Sequence, residues 1–485
     1  MLSDQLLLLA SLLVFAAVLI TKVGARLGAP SLLLFLILGM VAGADGLGLE
    51  FGRYEIAESI GHFAMTVILF AGGLETSLSE TKPVIRQGVL LSTVGIILTT
   101  AFTGIFIYLT VGNSIGGVAL TFLGSLMIAA IMSSTDSASV FSILRGKNLN
   151  LRENLGPMLE LESGSNDPMA FVLTIILVGV FSTDVQIGSG ALLLKGAGIL
   201  MVQLVVGLAI GLLVGYLSKW VLEKVDLENV SLYAIMVFSI GFLANALASI
   251  LHGNGLLSLY IAAVIIGNQV QLKHRRDVLK FSDAMTWVMQ LMMFLMLGLL
   301  ARPSHMLRIL GPALLIGLFM LFFARPMAVY LTLLPFRKMS FRAKTFVSWV
   351  GLKGAGPILF ALTPVVAGLE GATDIFNIVF VISLLSLILQ GFSLPIVARW
   401  LKLSYDADPQ VETFGMEIPE EMGMLRDHTV LEEELGDGKT LRDLHLPHGI
   451  RVMMVRRGER FLVPHGSMEL LPGDHLMIIL GESDD

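Results

Sequence analysis

The chain has 485 residues, of which 55% are hydrophobic and 14% charged, with a formal net charge of −6 at pH 7. A mean hydropathy of +0.83 excludes a soluble globular protein, because apolar runs of roughly 20 residues cross a bilayer as helices. Cysteine is absent, which excludes disulfide and thiol chemistry. No C-x-x-C or H-E-x-x-H spacing occurs, so neither a structural metal nor another cofactor is expected.

The first residues, "MLSDQLLLLASLLVFAAVLI", carry Asp4 and no basic n-region. They read as an uncleaved first span rather than a signal peptide. Further apolar runs follow, and the predicted spans are approximately 5–22, 29–47, 59–76, 86–111, 117–144, 155–182, 193–222, 229–250, 254–270, 283–301, 308–335, 342–368 and 372–400. One set of alternate loops, with the residues after the last span, holds 19 Lys and Arg; the opposite set holds only Arg53, Lys195, Arg302 and Arg308. Basic residues are retained on the cytoplasmic side. The N-terminus is therefore expected outside and the C-terminus in the cytoplasm, which requires an odd number of spans and agrees with thirteen.

From Ser404 onward the net charge is −11, against +5 for the preceding part, as expected for an embedded unit followed by an aqueous one. "IRVMMVRRGERFLVPHGSMELLPGDHLMIILGE" alternates apolar and polar residues between Gly- and Pro-containing turns. It predicts a small β-rich cytosolic module. The expected division is 1–403 membrane domain, 404–424 linker and 425–485 cytosolic domain.

Inside the spans few ionisable residues remain: Glu75, Asp136, Glu160, Glu162, Asp167, Arg325 and Lys353. Such residues are costly in lipid and mark ion or proton pathways, or else form structural pairs. Five acids against two bases leave a carboxylate whose charge is met by a proton or a cation. In "ESGSNDPMAF" (162–171), Ser163 and Asp167 share a helix face with Glu160 at i, i+3 and i+7. Glu160, nearer the cytoplasmic end, is placed in a funnel leading to Asp167. Glu162 points elsewhere, and Arg325 is its candidate partner. Pro168 lacks an N–H, so the carbonyl of Gly164 loses its helix bond; the outcome is either a cation or water ligand beside Asp167 or a simple kink.

Two further spans look broken. "IMSSTDSASV" surrounds Asp136 with Ser and Thr, and "GLKGAGPILF" joins three Gly and a Pro to Lys353. They are the central members of the span triplets 4–6 and 11–13, and paired discontinuous helices at mid-membrane point to the binding site of a secondary transporter. Asp136 and Lys353 are placed to neutralise half-helix dipoles. "GDGKT" (436–440) lacks the first Gly of a P-loop. His62, His252, His274 and His305 fall at span ends or loops and read as surface residues.

With "SSTDSAS", "ESGSNDP", "GGLET", an intramembrane Arg and "GLKGAGP" in place, residues 5–400 resemble the NhaP-type monovalent cation/proton antiporters of the cation:proton antiporter-1 family. The resemblance implies an α-helical polytopic, NhaA-like antiporter fold of about thirteen helices, with inverted repeats, broken helices and homodimers. It implies Asp167 as the principal ion- and proton-binding carboxylate, with Asp136, Ser163 and the Thr135 backbone nearby and Glu75 completing the site. Asn166 would brace the broken helix and Glu162 would pair with Arg325. Lys353 stands where Arg is common in the family, keeping the charge without the bidentate geometry. The tail resembles the TrkA-C/RCK-C ligand-binding module, a small α/β domain, so a nucleotide or other small ligand is a candidate partner there. That combination suggests the potassium/proton branch in a bacterial inner membrane. Some members continue into a further cytosolic domain, so a chain stopping at Asp485 is a shorter member or a truncated form.

The function expected is alternating-access antiport of K+, or of Na+, against H+ in competition at Asp167. Neutral Asn166 beside Asp167 suggests one proton per cation, hence electroneutral exchange. An intramembrane aspartyl protease would also use two aspartates, but its Gly-x-Gly-Asp signature is absent. A ligand-gated cation channel would explain the tail, but no Thr-Val-Gly-Tyr-Gly filter occurs. No enzymatic activity and no nucleic-acid partner are expected.

Overall fold

The computed structural model describes residues 4–27, 30–49, 51–111, 121–147, 149–182, 189–225, 227, 229–270, 272, 274–406, 425–430, 440–444, 450–458 and 460–480. The chain divides into two compact units, Met1–Tyr405 and Asp406–Asp485. Most of the expected 404–424 linker and most of "GDGKT" lie outside the described residues.

The first unit is helical. In chain order it contains α1 (Asp4–Leu27), α2 (Ser31–Ala42), α3 (Tyr54–Glu75), α4 (Leu78–Thr81), α5 (Ile85–Leu90), α6 (Ile96–Thr110), α7 (Phe122–Ile131), α8 (Ser137–Arg145), α9 (Leu155–Ser182) and α10 (Ser189–Lys224). It continues with α11 (Val230–Ile250), α12 (Gly255–Gln269), α13 (Arg275–Leu300), α14 (Pro303–Phe319), α15 (Arg325–Thr332), α16 (Phe341–Trp349), α17 (Ala355–Phe360), α18 (Leu362–Val366) and α19 (Ala372–Trp400). Two short strands, β1 (Leu149–Leu151) and β2 (Ser404–Asp406), complete the chain to this point. Among the described residues, eight helical segments are long and apolar enough to cross a membrane, and five shorter apolar helices accompany them. This is a multi-pass membrane protein.

Two local features interrupt the helices. The five-residue π turns Leu91–Gly95 and Met320–Ala324 join α5 to α6 and α14 to α15. Between α7 and α8, and again between α16 and α17, the helix stops altogether. At 1.5 Å per residue, the 10 residues of α7 reach only about 15 Å, half of a ~30 Å hydrocarbon core. The sequence explains both stops. Ser and Thr side chains in "MSSTD" compete for backbone hydrogen bonds, while Gly and Pro in "GLKGAGP" weaken helical continuity.

By contrast, α9 is one continuous helix through Pro168. Proline removes the N–H that the Gly164 carbonyl would otherwise accept; separately, Asn254, the N-cap of α12, donates from Nδ2 to the Pro168 carbonyl at 2.9 Å. Small residues set the helix spacing elsewhere. Gly39 of α2 and Gly298 of α13 meet where a Cβ on either would strike the other helix's backbone carbonyl.

The second unit contains β3 (Leu425–Thr429), β4 (Ile450–Arg457), β5 (Arg460–Leu462) and β6 (His475–Leu480), forming an antiparallel sheet in the order β3-β6-β4-β5. A bulge interrupts the β4–β6 register between Val452 and Met454. Gly458, at φ 59°, turns the β4–β5 hairpin closed by Arg457 and Arg460. The core is Val430, Leu444, Val455, Leu470, Leu476 and Ile478. The expected α/β module is thus represented by its strands, and no helix occurs among the described residues of this unit.

Candidate ion-binding site

The two stops cross. The Asp136 N–H donates to the Leu352 carbonyl at 2.9 Å, joining the α7–α8 break to the α16–α17 break. Each break exposes polar backbone that water cannot satisfy inside a bilayer, so the side chains around it are bound to it.

Asp136 is the N-cap of α8: its Oδ1 accepts from Ser139 N–H at 3.0 Å and its Oδ2 accepts from Ser139 Oγ. Gly354 lies so close that a Cβ there would collide with the Asp136 carboxylate. At the opposite break end, buried Lys353 donates from Nζ to the Ser134 carbonyl at 2.8 Å and the Ser133 carbonyl at 3.5 Å. The arrangement places an anion at a helix N-terminus and a cation on free carbonyls, as the backbone partial charges favour. Lys353 itself is seated by its N–H to Ser386 Oγ at 2.8 Å.

α9 is tied to the same break by three residues of its motif. Asn166 donates from Nδ2 to Thr135 Oγ1 at 2.5 Å and accepts from Thr135 N–H at 3.4 Å. Ser163 Oγ donates to the Thr135 carbonyl at 2.8 Å and accepts from Ser137 N–H at 3.1 Å. Asp167 accepts a hydrogen bond from Ser134 Oγ. The Thr135 hydroxyl and carbonyl are thus already engaged by α9, and Ser134 is the residue of the break that reaches Asp167.

Glu162 turns the other way. Its Oε1 lies 2.5 Å from Arg325 Nη2 of α15, with both residues buried. Among the described residues Glu162 Oε2 and Arg325 Nε have no hydrogen-bond partner.

Asp136, Glu160, Ser163, Gly164 and Asp167 line one cavity of about 560 Å³, together with Glu75 and Thr76 at the end of α3. Asp167 is half-buried at its wall. Of the residues singled out from sequence, Asn166, Thr135, Glu162, Arg325, Lys353 and Pro168 do not line this cavity. Gly164 is packed against the Tyr260 ring of α12, which a Cβ would strike. The cavity also contains Arg145, Tyr260 and Asp283, which sequence reasoning did not single out. Asp283 sits at the predicted edge of a span, where an acid attracts no notice. Tyr260 belongs to an apolar run, and nothing in its local pattern marks it. Ser134 lay inside the motif without being distinguished from its neighbours.

A second cavity, of about 880 Å³, is lined by His62 and Thr66 of α3, Phe171 and Ile175 of α9, Lys195 and Gln203 of α10, and Asn245, His252 and Asn254. His252, in the turn after α11, is exposed as expected, whereas His62 is half-buried within α3. α3 starts at Tyr54, eight residues before His62, which packs against Phe171 at a ring distance of 4.7 Å.

Broken helices that cross beside a half-buried carboxylate, reached through an acid-lined cavity, define a membrane carrier for cations rather than an enzyme. Comparison with known proteins agrees. Residues 11–400 match the family model described as "Sodium/hydrogen exchanger, transmembrane", and residues 425–485 match the TrkA-C domain. The chain belongs to the sodium/hydrogen exchanger family and is a monovalent cation/proton exchanger. It is 38% identical to a K(+)/H(+) antiporter NhaP2 of Shewanella sp. (strain MR-4), over 98% of this chain and 81% of that protein. It is 35% identical to the K(+)/H(+) antiporter NhaP of Alkalimonas amylolytica, over 95% of this chain and 75% of the relative. The fold is similar to that of the sodium proton antiporter MjNhaP1 from Methanocaldococcus jannaschii, at TM-score 0.68 and 23% identity. That match covers 80% of this chain and 100% of the other.

Proposed function

We propose that the chain is a potassium/proton antiporter that exchanges one cation for one proton at Asp167 by alternating access. The potassium reading rests on the two relatives named K(+)/H(+) antiporters. Sodium is the alternative, since oxygen ligands suit both ions. The Asp167 assignment rests on one observation: from the unbroken helix α9 this carboxylate reaches the break, through Ser134, while lining the acid-lined cavity. A carboxylate there binds either a proton or a cation, and the two compete. Neutral Asn166, committed to Thr135, adds no second charge, in keeping with one-for-one exchange.

The other roles follow from position. Asp136 and Lys353 neutralise the half-helices, Ser163 and Asn166 brace Thr135, and Glu160 and Glu75 line the approach to Asp167. Glu162 and Arg325 hold α9 to α15. The eight long and five shorter apolar helices support thirteen crossings, and the matching π turns and breaks support an inverted repeat of the fourth to sixth and eleventh to thirteenth spans in an NhaA-like fold. The N-terminus lies outside a bacterial inner membrane and the TrkA-C unit lies in the cytoplasm, where it takes a small regulatory ligand. The division 1–403, 404–424 and 425–485 and a homodimer complete the reading.

Proton flux in everted vesicles, titrated with potassium, sodium, lithium and rubidium across pH, tests it. Potassium is expected to give the lowest half-saturating concentration, and Asp167→Asn to abolish the flux while the protein stays folded. Normal flux in that variant, or a membrane potential generated by transport, overturns the site or the stoichiometry respectively.

A further inference from the structure

The two cavities approach Asp167 from opposite ends of the same helices. Along α3, His62 and Thr66 face the larger cavity, and Glu75 and Thr76, about two and a half to four turns further on, face the smaller. Along α9 the order reverses: Glu160 and Asp167 belong to the smaller cavity, Phe171 and Ile175 to the larger. Between them the Asn254–Pro168 hydrogen bond closes α12 onto α9.

Their charges differ in sign. The smaller cavity contains the carboxylates of Glu75, Asp136, Glu160, Asp167 and Asp283, with Arg145 as the one base among its described lining residues. The larger contains Lys195 and two histidines, and no carboxylate among its described lining residues. Glu58 lies 3.9 Å from His62, behind the cavity wall. Lys195, exposed on α10, is the permanent charge. A cleft with low-dielectric walls focuses such a field and changes the local concentration of small ions.

We propose that the larger cavity is a cation-depleting outer vestibule, set by Lys195, which gives the carrier a weaker apparent cation affinity from its outer face than from its inner face. This rests on the exchange reading above and on its topology, with the acidic cavity open to the cytoplasm. Cations are gathered from the cytoplasm and, once released outward, are discouraged from rebinding. The equilibrium set by the two ion gradients is untouched, because a fixed charge alters rates and apparent affinities and not the driving force.

The test uses the full-length chain in right-side-out and everted membrane vesicles, with potassium added outside and proton movement as the readout. The wild type is expected to show a KM several-fold higher in right-side-out vesicles. One unit charge about 10 Å from the path changes local cation concentration by about threefold. Lys195→Gln is therefore expected to lower the outer-face KM about threefold and Lys195→Glu about tenfold, both leaving the inner-face KM unchanged. In molar choline chloride, where the Debye length is about 3 Å, the differences between variants should collapse. Equal KM values from the two faces, or a Lys195→Glu variant that shifts neither or both, overturn the proposal. Saturable flux with equal values fails this inference alone, whereas no cation-dependent flux from either face fails the antiport reading beneath it.

Discussion

Asn166 holds Thr135 at two points, donating 2.5 Å to its hydroxyl and accepting 3.4 Å from its backbone N–H. The amide does what a carboxylate at the same place would not, since only an amide both donates and accepts. Asn166→Ala removes both bonds inside a buried site, which costs about 1–3 kcal/mol for each polar group left unsatisfied. The expected outcome is a lowered unfolding temperature in detergent together with at least a tenfold drop in flux. Asn166→Asp keeps the acceptor but brings a second carboxyl into a buried site beside Asp167, so it is expected to destabilise at least as much as Asn166→Ala. An Asn166→Ala variant as stable and active as the parent would remove the brace from the account.

The buried Glu162–Arg325 pair makes a different kind of prediction. Removing one member of such a pair strands a charge in low dielectric and costs about 3–5 kcal/mol. Glu162→Gln and Arg325→Ala should each lower folded yield more than they lower flux per folded molecule. Replacing both by apolar residues of similar volume, as in Glu162→Leu with Arg325→Met, should recover much of the yield. Folded single variants that fail to transport would move the pair into the transport path.

How much of this was legible beforehand depends on whether a feature is local. The opposition of Glu162 to Asp167 is a consequence of helical period, and the partner Arg325 followed because few buried bases exist. The breaks were readable too, from Ser, Thr, Gly and Pro in apolar surroundings. The tie between Pro168 and α12 was not, because the donor to the Pro168 carbonyl is Asn254, 86 residues away. Nor was Tyr260, whose position against Gly164 depends on the packing of α12 and α9. His62 was misplaced because a span boundary read from hydropathy is uncertain by several residues, enough to move a side chain from surface to cavity.

Two glycines of "GLKGAGP" offer a contrast that separates close approach from composition. A Cβ on Gly354 would collide with the Asp136 carboxylate, whereas one on Gly356 meets Ser134 Oγ at 3.4 Å and Asp167 at 3.8 Å, ordinary contact distances. Gly354→Ala must displace the cap of α8, so flux is expected to fall at least tenfold with reduced stability. Gly356→Ala should yield folded protein with flux within a few-fold of the parent. Equal effects of the two substitutions would mean that the loop, rather than the Asp136 contact, is what tolerates no side chain.

The cytosolic unit has its own polar anchor, with a pH dependence whose sign is fixed. Asp474 accepts from Arg457 Nε at 2.9 Å and Nη2 at 2.7 Å, and from the Leu471 N–H at 2.9 Å. Burial works against its ionisation, but the Arg457 hydrogen bonds, the Leu471 N–H and the Arg457 charge outweigh it and hold the carboxyl below its ordinary value. A depressed carboxylate stabilises the fold above the unfolded value of about 3.9, and that contribution disappears as pH falls through the lower folded value. Asp474→Asn should therefore weaken β6 and β4 by about 1–3 kcal/mol at neutral pH. Hydrogen exchange of their amides in the full-length protein would speed up correspondingly, about tenfold per 1.4 kcal/mol. The gap between variant and parent should hold constant above about pH 5 and narrow progressively below about pH 4. A gap that did not narrow at all between about pH 5 and about pH 3 would assign the effect to packing of the side chain instead of its charge.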